Sequence, residues 1–112
     1  MNKDMLLEIL ADPSASDAEK DDAVMALGNS FPDNDTVDIL IRVSNESNCE
    51  EMIAASCGES IGQIWIATQQ ISYEKLSILK GVALAEALSL IKAQRPDWYL
   101  EYRSRGASEY KQ

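Results

Sequence analysis

No histidine occurs in this sequence, and only two cysteines do, Cys49 and Cys57. The side chain most used to move protons near neutral pH is therefore missing, so any acid–base chemistry would have to rest on carboxylates. Two cysteines without histidine cannot build a four-ligand zinc site of the usual kind. Both read as reduced thiols acting as small apolar residues on buried faces. No stretch of about 18 uninterrupted apolar residues is present, so no segment reads as a transmembrane helix. The opening MNKDMLLEILADP carries acids where a signal peptide needs a basic start and a longer apolar run. These features predict a soluble, cytoplasmic protein with no bound metal or cofactor and no membrane partner.

Positive charge is also scarce, and it is unevenly placed. Residues 1–60 hold fourteen Asp and Glu against three Lys and Arg, a net −11, whereas residues 61–112 hold five acids against seven bases, a net +2. Binding to nucleic acid through a broad basic face is disfavoured, because affinity for phosphate comes from clustered Lys and Arg. An acidic half attracts and steers a basic partner instead. The simpler reading is that the acids keep a small helical protein in solution.

What is present is helical punctuation. With 112 residues and 46% apolar content the chain suits one domain with a core of its own. Met5, Leu6, Ile9 and Leu10 recur at one-face spacing before Pro13 ends a first helix. Ser16 and Glu19 form a capping-box pattern for a second, whose stripe of Ala18, Ala23, Val24, Ala26 and Leu27 leads to a stop at Gly28. PDND at 32–35 offers N-cap oxygens for a third, TVDILIRV, which is rich in β-branched residues but has no comparable segment to pair with as a strand. Asn48 with Glu51 repeats the cap-plus-acid signature for a fourth helix over about Cys49–Ala67. Ser72 starts another helical stretch, Gly81 marks a break before VALAEALSLIKAQ, and Pro96 suits the first turn of a last helix that Gly106 ends. The expectation is a single helical domain over 1–106, with 107–112 as a frayed tail.

One stretch looks wrong for a helix interior. CGESIGQIW, residues 57–65, places two glycines four apart beside a cysteine and a serine, then a tryptophan. Set against AVMALGNSF, residues 23–31, it aligns Ala23 with Cys57, Ala26 with Ser60, Leu27 with Ile61, Gly28 with Gly62 and Phe31 with Trp65, 34 positions apart. Stacked helices need small residues where backbones approach and an aromatic to close the layer. ALAEAL, residues 83–88, repeats the small/large alternation without the glycine, as an end repeat does. In these residues the chain resembles the HEAT-like helical repeats, whose second helices carry an Ala-x-x-Ala-Leu-Gly core; AVMALG fits closely and GESIGQI loosely. The resemblance implies an all-α fold, a small right-handed stack of antiparallel helix pairs with six to seven helices in all. A plain helical bundle is the alternative.

The paired acids Asp21–Asp22, Asp33–Asp35–Asp38 and Glu50–Glu51 come with no histidine, phosphate loop or metal motif. Singly, they sit where caps and first-turn charges belong. Collectively Asp33, Asp35, Asp38, Glu46, Glu50, Glu51 and Glu59 are expected to share an edge and present a strip of carboxylates to a cationic groove. Trp65 reads as core, and PDWYLEYR either as an interface or as the seal of the stack.

In size, acidity and HEAT-like texture the chain is similar to immunity proteins of bacterial contact-dependent growth inhibition and related polymorphic toxin systems. That resemblance implies a non-enzymatic antitoxin in a 1:1 complex with a basic nuclease domain, an RNase by expectation, whose active-site cleft it blocks. A HEAT-like scaffold or adaptor is the second reading, and a small carboxylate enzyme needing a divalent metal is a third.

Overall fold

The computed structural model describes residues 2–110, with side chains as far as Gly106. Its seven helices are α1 (Lys3–Ala11), α2 (Asp17–Ser30), α3 (Asn34–Asn45), α4 (Glu51–Thr68), α5 (Tyr73–Leu76), α6 (Gly81–Gln94) and α7 (Pro96–Tyr110), and no strand occurs among the described residues. TVDILIRV is helical, as the lack of a pairing partner requires.

Most boundaries follow local chemistry. Asn2 caps α1 by accepting from the Met5 amide. Ser16 and Glu19 form the full reciprocal capping box at α2. Asp33 caps α3 through the Thr36 amide, and Ser72 caps α5 through the Lys75 amide. Other boundaries differ from expectation. Asn48 caps nothing: Glu50 occupies the N-cap of α4 without a side-chain cap bond, and Cys49 precedes the helix. Gln69 ends α4 in the left-handed region at φ 58°, the conformation usually left to glycine. Gly28 does not stop α2, nor does Gly106 end α7, which runs on to Tyr110. Residues 111–112 of the expected frayed tail lie outside the described residues.

The helices form two rows. α2, α4 and α6 lie side by side with α4 in the middle, and α1 and α3 pack on α2 and α4 respectively. Short connections make each such pair antiparallel. The core fills the space between the rows: Leu6, Val37, Leu40, Ile41 and Leu76 from the first row meet Val24, Leu27, Ile53, Cys57, Ile61, Ile64, Trp65 and Ile91 from the second. Each fully buried aliphatic side chain contributes about 1.5–3 kcal/mol. Met5 departs from the expected core stripe of α1; it is 48% exposed, and Leu6 is the buried residue of that helix.

The second row is held by thin side chains. A Cβ on Gly28 would lie 2.8 Å from the Cβ of Ser60, which places α2 against α4. On the other side of α4, a Cβ on Gly58 would lie 2.0 Å from the Ala83 carbonyl oxygen, and one on Gly62 would lie 3.1 Å from Leu90 Cδ2. CGESIGQIW is thin because it is flanked on two sides, by α2 and by α6. Trp65, 2% exposed, then fills the wider space beyond it. Gly28 has the same task one layer earlier, which is why it sits inside α2 and does not end it.

The first row is held differently. Lys3 Nζ reaches Asp35 Oδ2 at 2.9 Å and Asp33 Oδ1 at 3.2 Å, joining the start of α1 to that of α3. Lys75 Nζ reaches Asp38 Oδ1 at 2.9 Å, joining α5 to α3.

Candidate binding surface

The seven acids expected to share one edge are divided by the fold. Asp33, Asp35 and Asp38 lie on the first part of α3, and Glu46 caps its other end, beside Glu50 and Glu51 at the start of α4. Eight positions, from Asp38 to Glu46, separate the two groups, about 12 Å along the axis. Glu59 stands apart, in the middle of α4. Asp33, Asp35 and Asp38 also serve within the molecule, bound to Lys3 and Lys75. The Asp33 carboxylate is held below its ordinary range, first by the Thr36 amide and also by Lys3. Lys3 is correspondingly raised, chiefly by its hydrogen bond to Asp35. Glu46, Glu50, Glu51 and Glu59 are exposed and have no salt-bridge partner among the described residues.

Glu46 and Glu50 stand on the rim of a groove of about 690 Å³ between α1, the start of α2, the end of α3 and the α3–α4 connection. Leu7, Leu10, Ile39, Val43 and Ile53 give it an apolar lining, and Asp17, Lys20 and Arg42 complete a rim of mixed sign. Cys49 opens onto it, half-buried, with its thiol pushed up by burial and by the neighbouring Glu46 and Glu50. Sequence reasoning did not find this groove. The available signals were Leu7, which widens the apolar arc of α1 beyond one face, and Lys20 and Arg42, two of only three bases in the first 60 residues.

The opposite end of the chain is basic and aromatic. Arg95 stacks over Trp98 at 3.8 Å, donates to both oxygens of Asp97, and donates to Gln69 Oε1 at 2.7 Å. Lys92 and Arg103 flank the Tyr99 ring, and Arg105 lies over Tyr73 at 4.2 Å. Trp98 is buried with the core and Tyr99 and Tyr102 pack against it, so PDWYLEYR seals the stack.

Among the described residues no group of three His, Cys, Asp or Glu is placed to hold a metal ion, and no helix is long and apolar enough to cross a membrane. The fold and surface define an all-α stack of helix pairs with a strongly acidic first half. No family model matches the chain, and no curated protein or solved structure matches it.

Proposed function

We propose that the chain is a cytoplasmic immunity protein that binds a basic nuclease domain, an RNase, of a contact-dependent growth inhibition system and blocks its active site, one copy to one. The observation that carries this reading is the set of exposed carboxylates, Glu46, Glu50, Glu51 and Glu59, without a salt-bridge partner among the described residues, in a half-chain of net −11. Such a surface accelerates encounter with a cationic partner and repels nucleic acid itself. No catalytic role is assigned to any residue.

The test is co-expression of the tagged chain with the nuclease domain encoded beside it, followed by a high-salt wash and an RNA cleavage assay. A stoichiometric complex with cleavage suppressed supports immunity. Undiminished toxicity with no complex rejects it and leaves the scaffold or adaptor reading, for which an acidic face is ordinary solvation.

A further inference from the structure

The second row of helices leaves one side uncovered. α4 meets α2, α6 and α3 on three sides, and its fourth carries Met52 and Glu59, seven residues apart and therefore on one stripe. The equivalent stripe of α2 carries Asp22 and Met25, and that of α6 carries Glu86. All five are exposed, Met25 by 49% and Met52 by 54%. Ser56 of α4 donates to the carboxylate of Asp21 on α2, which brings these two stripes together.

This face differs from the groove in its charge. α4 contains no lysine or arginine; the one lysine of α2, Lys20, lines the groove on the α1 and α3 side; the one lysine of α6, Lys92, faces Tyr99 of α7. Asp22, Glu59 and Glu86 are thus the charges these three stripes carry, all of one sign, beside two exposed thioethers. A cationic segment entering the groove meets Lys20 and Arg42, whereas the charges on these stripes are carboxylates. Methionine side chains are flexible and polarizable, and they fit apolar groups of varied shape. Apolar anchors ringed by charge are the arrangement from which interface energy comes.

We infer that the uncovered face of α2, α4 and α6 is where the basic partner docks, its apolar side chains lying against Met25 and Met52 and its lysines or arginines meeting Asp22, Glu59 and Glu86. The partner's identity as a toxin domain rests on the function proposed above; the surface and the chemistry it takes do not.

Two measurements on the full chain separate the claims. In the first, methionine methyl groups are isotope-labelled and followed by NMR while a lysine/leucine amphipathic helical peptide is added. Saturable, salt-reversible shifts of the Met25 and Met52 methyls are expected, with Met5 on α1 unmoved, and the same peptide with glutamate for lysine gives none. Shifts at Met5 alone, or at no methionine, overturn the docking face. In the second, the Asp22→Lys/Glu59→Lys variant, its fold checked by circular dichroism, is tested against the co-expressed nuclease domain, and at least a tenfold loss of affinity is expected. A wild-type complex untouched by the double variant overturns this face and leaves immunity standing. Absence of any wild-type complex, with the Met25 and Met52 shifts intact, rejects the toxin and keeps the face.

Discussion

Gly58 of α4 lies so close to Ala83 of α6 that a methyl group on it would come within 2.0 Å of the Ala83 carbonyl oxygen. The obstacle is backbone, so relief requires α4 and α6 to move apart. Gly58→Ala is expected to destabilise the fold by roughly 3 kcal/mol or more, since overpacking that shifts backbone costs about 1–3 kcal/mol and both helices lie in the core. Gly62→Ala should cost less, because its nearest obstacle at 3.1 Å is the flexible end of Leu90. Urea denaturation of the two variants tests the ranking, and equal midpoints would refute the account of the second row.

Gly106 is the counter-case. It lies within α7 with nothing within 4 Å of an added Cβ and no left-handed φ. Gly106→Ala is expected to raise stability by about 0.5–1 kcal/mol, the helix-propensity difference between the two residues. A loss on thermal melting would show that the glycine is a terminator after all.

The Asp33 cap gives a pH dependence of known sign. Its folded pKa is depressed, so its contribution is present above the ordinary carboxylate range and lost as pH falls through the lowered value. The side chain is 51% exposed, so the bridge to Lys3 adds little and the cap dominates. Asp33→Ala should cost about 1 kcal/mol at pH 7 and less at acid pH, once the carboxylate is protonated. Asp33→Asn should keep most of the cap while flattening the acid limb.

Cys57 acts in the opposite direction. Burial pushes its thiol from 9.0 up to about 12, so folding favours the protonated form. The stability it contributes is complete below pH 9.0 and declines as pH rises toward about 12. The urea midpoint should fall over that window in the native chain, and fall less in Cys57→Ala. At pH 8, iodoacetamide should label Cys49 first and Cys57 only after unfolding.

The acidic candidates should separate into two groups on charge reversal. Lysine at Glu46, Glu50 and Glu51 is expected to slow association with a basic partner and flatten its salt dependence without changing the melting temperature. Lysine at Asp33, Asp35 and Asp38 should also lower the melting temperature, chiefly because it removes the Asp33 cap and sets like charges against Lys3 and Lys75. Stopped-flow mixing and thermal melts of both triple variants distinguish the groups; if neither alters association, these six positions are not the contact.

Helix identity and most helix starts were legible in the sequence, because they depend on neighbours in the chain. Ser16 with Glu19, Asp33 before Thr36 and Ser72 before Lys75 each satisfy amides three residues away, whatever the rest of the molecule does. The 34-residue match between AVMALGNSF and CGESIGQIW likewise announced close packing of second helices. It did not say which helix each thin position faces. Gly28, read locally as a stop, lies inside α2 because Ser60 on another helix needs the space. The acids show the same limit: their number sets the net charge, which composition determines alone. Which carboxylates are bound to lysines 30 or more positions away and which remain free is decided by the packing of α1, α3 and α5, an arrangement that no local rule contains.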